Sequence, residues 1–186
     1  MRGGFWSLVV LVLFLLSGCN GLEIEKQNYW SVADFNKVSI IDYPYEDLDA
    51  NEVQSIYETY QNEIKALALY RKTLDLFEGE QPFESIMLQQ EIQMGLFEEV
   101  YDKYELQLPE ENWYDKVTDF EDLAQACTAS ILFAQQSIDF YDAWLDNKGV
   151  SYKVDNQDLR FLYEKTRNNY ETVFIPMFKR CGRGIN

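Results

Sequence analysis

Residues 118–145, TDFEDLAQACTASILFAQQSIDFYDAWL, decide the fold of this chain. Apolar or small residues recur there at alternating steps of four and three: Phe120, Ala124, Cys127, Ile131, Ala134, Ile138, Tyr141 and Leu145. A row with a mean spacing of about 3.5 residues lies on one face of an α-helix. Thr118 and Glu121 have the spacing of a capping box, in which each side chain bonds the backbone N–H of the other residue. The stretch therefore predicts a long amphipathic helix that begins at Thr118 and is closed by Gly149.

Three further segments show the same periodicity. Their predicted ranges are 48–78, with Asp47 or Asp49 as cap and Gly79 as stop, then 83–106 after Pro82, then 156–174, where Pro176 either kinks or ends the helix. Four amphipathic segments joined by short turns predict an all-α domain over residues 47–186, folded as an antiparallel four-helix bundle. A pair of stacked helix-turn-helix repeats is the alternative, although the chain shows no convincing internal repeat.

The segment before the predicted bundle is irregular. Residues 20–46 alternate polar and apolar side chains and include a short β-like run at 38–41. A lone strand has no pairing partner, so we expect an extended arm that lies on the helical body. The aromatic side chains of this arm argue against a purely solvated linker.

Composition excludes several classes of function. The chain has no histidine, so it cannot build a Ser-His-Asp triad, a histidine zinc site or a Glu-x-x-His di-iron site. It has 32 Asp and Glu against 16 Lys and Arg, a formal net charge of −16. Nucleic acid is a poor partner for such a surface, whereas a cationic protein or peptide is electrostatically favoured. The alternative interpretation is that the negative charge serves only to keep the protein soluble.

The N-terminus has the pattern of a secretory signal. A basic start at Arg2 precedes an apolar run over residues 5–16, which is too short to span a ~30 Å hydrocarbon core. The sequence Leu16-Ser17-Gly18-Cys19 that ends this run resembles the lipobox of bacterial lipoproteins. The resemblance implies that residues 1–18 are a signal peptide, that Cys19 carries the lipid, and that 19–46 is a lipidated tether and arm.

In that family the residue after the cysteine influences sorting. Asn20 stands there, where Asp would resemble an inner-membrane retention signal, so the resemblance favours the outer membrane over the inner one. An ordinary buried cysteine, or an uncleaved membrane anchor, is the alternative for Cys19.

Cys127 and Cys181 are the other two of the three cysteines. Export would place them in an oxidising compartment, where cysteine pairs tend to bridge. A turn near residue 150 sets Cys127 opposite Phe174, so a bridge requires the tail after Pro176 to fold back. Burial of Cys127 as a small apolar residue is the alternative.

The aromatic content is high, with 13 Tyr, 12 Phe and 4 Trp. These side chains predict either a wide aromatic core or a groove for a partner helix or an apolar ligand. The candidate groove residues are Tyr101, Tyr104, Tyr141 and Trp144.

Two possible chemistries remain. Glu84-Ser85 is similar to the Glu-Ser pair of lytic transglycosylases, which implies Glu84 as the acid and base of a glycan-cleaving enzyme. The Gly-Leu-Met-Gln stretch and the later aromatic motif of that family are missing, and Glu84 also suits the first turn of a helix. The acidic row of Asp139, Asp142 and Asp146 is interpreted as a solvated helix face, because calcium requires six or more oxygen ligands.

Polar residues also interrupt the apolar rows of the predicted helices. They are Glu63, Arg71, Gln90 and Thr166. We expect these side chains to form a buried network that sets helix register, with a pocket lining as the alternative.

The sequence thus predicts a lipid-anchored helical binding or scaffold protein of the bacterial periplasm or outer membrane. Its expected partners are the membrane, through the N-terminal lipid, and a protein. We expect no enzyme activity, no cofactor, no metal and no nucleic acid. The alternatives are a cell-wall glycan-cleaving enzyme that uses Glu84 and a purely structural envelope protein.

Overall fold

The computed structural model of the protein describes residues 47–78, 81–146 and 153–181. Helices account for most of this part, which contains no β-strand. The elements are α1 (Ala50–Phe77), α2 (Phe83–Lys103), a 3₁₀ turn (Tyr114–Lys116), α3 (Leu123–Asp146), α4 (Gln157–Asn169), a π-helical turn (Tyr170–Phe174) and α5 (Ile175–Arg180). The predicted all-α class is confirmed for these residues. The signal peptide, Cys19, the arm, Gly79 and Gly149 lie outside them.

Helix α1 begins with a capping box. The Asp49 carboxylate accepts from the backbone N–H groups of Asn51 and Glu52, and the Glu52 carboxylate accepts from the Asp49 N–H at 3.1 Å. Two N–H groups that the first helical turn leaves without partners are thereby satisfied. Of the two predicted caps, Asp49 is therefore the one that the helix uses.

Helix α3 begins later than predicted. Its first residue is Leu123, and the Asp122 carboxylate accepts from the Gln125 N–H at 2.7 Å, while the Gln125 side chain accepts from the Glu121 N–H at 2.8 Å. The predicted capping box at Thr118 is wrong, because Asp122 supplies a cap closer to the helix.

The buried face of α3 also differs from the predicted row. Ser130 and Ser137 are buried, whereas Ala124 is exposed. Small side chains on this face let α3 approach its neighbours closely, and the hydroxyl of Ser130 is satisfied by the Ala126 carbonyl at 2.8 Å.

Contacts between helices fix their relative directions. Along α1, Ser55 contacts Tyr163 and Glu63 contacts Tyr170, so α1 and α4 run in the same direction. Helix α2 runs against α4, since Gln93 contacts Asn169 and Phe83 contacts Phe178. Helix α3 also runs against α4, through Asp142–Arg167 and Cys127–Cys181. Helices α2 and α3 are therefore parallel to each other.

The connection from α2 to α3, residues 104–122, is a crossover that lies along α1. Trp113 donates through Nε1 to Gln61 at 2.9 Å, and the ammonium groups of Lys65 and Lys116 lie 4.5 and 3.9 Å from the centre of its ring. Farther along, the Lys72 ammonium pairs with the Asp119 carboxylate at 2.7 Å. The predicted short turn is wrong here, because two consecutive parallel helices need a connection that travels the length of the body.

Helix α4 continues through a π turn into α5. The Ile175 N–H donates to the Tyr170 carbonyl, five residues earlier, and Pro176 lies in the first turn of α5. The wider turn accommodates Pro176, which has no N–H and whose ring crowds the carbonyl four residues before it. Of the two predicted effects of Pro176, the structure shows an irregular turn and not an end, and the helical path extends past Phe174 to Arg180.

Aromatic side chains fill one end of the core. Tyr70, Phe83, Phe174 and Phe178 are fully buried, and the ring centres of four contacting pairs among them lie 5.3 to 6.3 Å apart. The fifth contacting pair, Phe174 and Phe178, has its ring centres 6.5 Å apart. Such pairs are worth about 0.5–1.5 kcal/mol each beyond their burial. Among the described helices, none combines the length and apolar composition that crossing a membrane requires.

Candidate functional site: a buried carboxylate cluster

The four aromatic residues predicted to line a groove lie in the core. Tyr101, Tyr104, Tyr141 and Trp144 are 2%, 8%, 0% and 7% exposed. The expected groove at these positions is wrong, because the four side chains pack between helices. Tyr104 and Tyr141 also direct their hydroxyl groups to buried carboxylates, Asp158 and Glu63 respectively.

The structure brings Cys127 and Cys181 together as a disulfide, with 6.0 Å between their Cα atoms. The expected fold-back of the tail is wrong, since Cys181 follows directly on α5. The continued helical path carries Cys181 along α3 to the level of Cys127. The bridge thereby ties the C-terminal end of the helical path to the first turns of α3.

The candidate catalytic residue Glu84 and the acidic row of α3 do not form a common site. Glu84 is exposed on the first turn of α2 and accepts from Gln81 at 3.3 Å. Asp142 pairs with Arg167, while Asp139 and Asp146 are exposed on α3. No group of three or more metal-ligating side chains occurs among the residues that the structure describes.

The most unusual group in the core is the carboxylate of Glu63, which is 0% exposed in the middle of α1. Its Oε2 accepts from Gln90 Nε2 and Gln93 Nε2, both at 2.6 Å, and from the Tyr170 hydroxyl at 2.9 Å. Its Oε1 accepts from the Tyr141 hydroxyl at 2.6 Å and from Asn62 Nδ2 at 3.2 Å. All five donors are neutral, and they come from α1, α2, α3 and the π turn.

The electrostatics of Glu63 are set by burial. Burial raises the pKa of the Glu63 carboxyl, and the hydrogen bonds from Tyr141, Gln90, Tyr170 and Asn62 oppose that rise. No Lys or Arg pairs with Glu63 in the described part of the chain. Five donors are directed at the two oxygens, and this arrangement suits a carboxylate, which accepts hydrogen bonds and donates none. The hydrogen bonds therefore take the place of a counter-ion.

The tyrosines around Glu63 are held as hydrogen-bond donors. Burial raises the pKa of Tyr141 and Tyr170 well above the ordinary value, and the negative charge of Glu63 raises each further. Both hydroxyl groups consequently keep their protons at neutral pH. Behind them, Asn169 Nδ2 donates to Gln93 Oε1 at 2.9 Å and so orients the Gln93 amide toward Glu63.

The predicted buried network of Glu63, Arg71, Gln90 and Thr166 is present only in part. Glu63 and Gln90 are buried and bonded, and Thr166 is buried, but Arg71 lies on the surface and faces Glu91 at 4.0 Å. Arg71 is exposed on α1, and the Glu63 carboxylate is bonded by neutral donors instead. Gln93 was not predicted because, unlike Gln90, it does not interrupt an apolar row, although its place three residues after Gln90 puts both amides on nearby faces of one helix.

A second buried cluster joins the N-terminal ends of α1 and α4. The Asp158 carboxylate accepts from the Tyr104 hydroxyl at 2.5 Å and from the Lys103 ammonium at 2.8 Å. The Glu52 carboxylate accepts from the Asn156 backbone N–H at 2.8 Å. These bonds fix where α4 begins relative to α1 and the end of α2.

A groove of about 320 Å³ lies on the outside, between α3 and α4. Its lining residues are Asp142, Leu145, Asp146, Arg160, Glu164, Arg167 and Asn168. The Arg167 guanidinium bridges Asp142 and Glu171, and Arg160 contacts the Leu145 carbonyl and Glu164. The groove is polar, and its two guanidinium groups are engaged by neighbouring carboxylate and carbonyl oxygens.

Comparison of the chain with protein-family models, with curated protein sequences and with solved structures found no match.

Proposed function

We propose that the protein is a lipid-anchored binding or scaffold domain of the bacterial cell envelope. The main support for this proposal is the N-terminal sequence, which has a basic start, a short apolar run and then Leu16-Ser17-Gly18-Cys19. Cleavage before Cys19 and acylation of its sulfur would attach the chain to a membrane. Asn20 favours the outer membrane over the inner one.

The cysteine pair supports export. A Cys127–Cys181 disulfide suits an oxidising compartment and is rare in a reducing one. This support is independent of the lipobox, because it comes from residues more than a hundred positions away.

The helical body is proposed to be a four-helix bundle made of two antiparallel hairpins, α1–α2 and α3–α4, joined by the crossover. Bundles with one long crossover are a known variant of this architecture. The buried Glu63 and Asp158 clusters support this arrangement, since together they draw on all four helices. A rigid body of this kind suits a domain that holds a partner.

The surface charge supports a cationic partner. Most described Lys and Arg side chains already lie against carboxylates or aromatic rings: Lys65, Arg71, Lys72, Lys103, Lys116, Arg160, Lys165 and Arg167. The excess acidic groups face solvent, for example Glu105, Glu110 and Glu121 near the crossover. Attraction of a basic protein would speed its association and weaken with salt.

The anchor is tested by growing bacteria that express the protein with an alkyne-labelled fatty acid. We expect label on the wild type and in its membrane fraction. Cys19→Ser should abolish both, whereas Cys181→Ser, a matched loss of one cysteine, should abolish neither. Equal labelling of wild type and Cys19→Ser would overturn the proposed anchor.

The binding role is tested by photo-crosslinking from exposed positions of the anchored protein, followed by identification of the adducts. A basic envelope protein captured reproducibly, and lost at high salt, is the expected result. Glycan release by the purified protein that Glu84→Gln abolishes would favour the enzyme alternative. A lack of any reproducible adduct would favour a purely structural role.

A further inference from the structure

Two large apolar side chains adjoin each other on the surface of α1. Val53 is 38% exposed and Tyr57 is 42% exposed. They are four residues apart in the sequence, so they lie one turn apart on the same face of the helix. A single exposed apolar residue is ordinary in a folded protein, whereas adjoining ones indicate a surface for contact with another molecule.

This pair lies between α2 and the crossover. Tyr60 and Gln61 follow Tyr57 by one turn of α1 and flank it on the helix surface. The Tyr60 ring packs against Tyr101 of α2, with 5.1 Å between the ring centres. Gln61 accepts from Trp113 Nε1 of the crossover at 2.9 Å. The exposed pair is therefore the floor of a trough that has α2 on one side and the crossover on the other.

The borders of this trough are acidic. Residues 98–111, the last turns of α2 and the start of the crossover, carry six acidic side chains and one lysine. The lysine, Lys103, pairs with the buried Asp158 carboxylate at 2.8 Å, so its charge is already balanced. Residues 47–58 add four acidic side chains and no Lys or Arg. The trough thus combines an apolar floor with borders of excess negative charge.

We propose that the trough binds a basic segment of a partner protein. An apolar or aromatic side chain of the segment packs on Val53 and Tyr57, and its Lys or Arg side chains face the exposed carboxylates of Glu98, Asp102 and Glu105. An aromatic anchor holds such a complex, while the surrounding charges select the partner and speed its association. This inference rests on the binding role proposed above, and it names the surface and the chemistry of the partner.

The charge of the chain itself argues against two other occupants. The arm, residues 20–46, carries five acidic side chains and two lysines, and a second copy of the chain has a formal net charge of −16. Either one would bring further negative charge to an acidic border, and like charges repel. A basic segment is therefore the occupant that the borders favour.

The chemistry of the segment is tested with a phage-displayed library of random peptides, selected on the full chain extracted from bacterial membranes. We expect the enriched peptides to combine Lys or Arg with an aromatic or apolar residue, and to bind less tightly at high salt. Val53→Ser combined with Tyr57→Ala should weaken their binding about tenfold or more. Leu132→Ser, which removes another exposed apolar side chain, should leave their binding unchanged. Enriched peptides that are not basic, or that bind the Val53→Ser/Tyr57→Ala variant as tightly as the wild type, would overturn the proposal.

The occupant in the cell is tested by placing the photo-reactive residue p-benzoylphenylalanine at Ala50, which is exposed one turn before Val53, or at Leu132 on α3 as the control. We expect Ala50 to capture a basic segment of another envelope protein, and Leu132 not to capture it. An adduct from Ala50 to residues 20–46, or to a second copy, would overturn the proposed occupant. Adducts from Leu132 alone would overturn this surface but leave the binding role standing, whereas a lack of adducts from both positions would overturn the binding role as well.

Discussion

The Tyr141 hydroxyl donates a 2.6 Å hydrogen bond to the Glu63 carboxylate, across 78 positions of the chain. The bond joins α3 to α1 at the level where Gln90 and Tyr170 also reach Glu63. One carboxylate is thus the meeting point of four segments. Because burying a charge without partners is very costly, this arrangement is stable only when all segments are correctly aligned.

Glu63→Gln is expected to destabilise the protein by about 3 kcal/mol, because the amide brings two N–H donors to a site whose neighbours also donate, whereas a protonated carboxyl brings only one. Denaturant unfolding measures the change. Glu84→Gln makes the same substitution at an exposed position and should cost less than about 0.5 kcal/mol. Equal effects of the two substitutions would contradict the role assigned to Glu63.

Tyr141→Phe is expected to cost about 1–3 kcal/mol, since it removes one hydrogen bond to a buried charge and keeps the aromatic ring. Tyr57→Phe is the surface control. Tyr57 is 42% exposed, and its hydroxyl contacts Glu111 at 3.3 Å. If both substitutions leave the free energy of unfolding unchanged, the Tyr141–Glu63 bond does not stabilise the fold.

The stability of the wild type should depend on the protonation of Glu63. Burial raises the pKa of Glu63 in the folded state, so the folded protein binds this proton more tightly than the unfolded chain does. The stabilisation that proton binding at Glu63 adds to the folded state is fully present below the pKa of the unfolded chain, near 4.5. It is lost as pH rises through the folded pKa. The difference in unfolding free energy between wild type and Glu63→Gln should therefore fall as pH rises over that window. A difference that grows with pH would show that the folded pKa is lowered instead.

Loss of the disulfide is expected to destabilise the protein by about 4 kcal/mol in the chain-entropy model, given the sequence separation of 54. Cys127→Ala, Cys181→Ala and the double variant should unfold at similar denaturant concentrations, because either single change removes the bridge. Mass spectrometry after alkylation without reductant should find neither thiol modified in the wild type. Two modified thiols would show that the bridge is absent.

Trp113→Ala is expected to loosen the crossover at a cost of about 1–2 kcal/mol, since it removes the Gln61 bond and the ring beneath two ammonium groups. Hydrogen exchange should increase in residues 104–122 and remain unchanged in α3. Trp113→Phe, which keeps a ring for Lys65 and Lys116, should have a smaller effect. Unchanged exchange in the crossover of Trp113→Ala would show that this contact does not hold it.

The sequence predicts the helices well because their signals are local. The Asp49 cap and the apolar periodicity depend on residues within a few turns of each other. The direction of α3 could not be predicted in this way, since it depends on the path of residues 104–122 along α1. Nor could the continuation past Pro176, because it depends on a π turn that packs Tyr170 against Glu63.

The buried cluster was predictable only in outline. Glu63 and Gln90 interrupt apolar rows, and that interruption indicates buried polar groups. Tyr141 and Tyr170 look like ordinary apolar members of their rows, since periodicity does not reveal where a hydroxyl points. Neutral side chains, and not Arg71, bond Glu63. This pairing depends on how closely four segments meet in the assembled core, which the sequence pattern does not reveal.

The intact mass of the protein extracted from bacterial membranes tests the proposed lipid anchor most directly. We expect a chain that begins at Cys19 and carries fatty acyl chains, with a mass two hydrogens lower than that of free thiols because Cys127 and Cys181 are bridged. A chain that retains residues 1–18, or one that begins at Cys19 with an unmodified thiol, would contradict it.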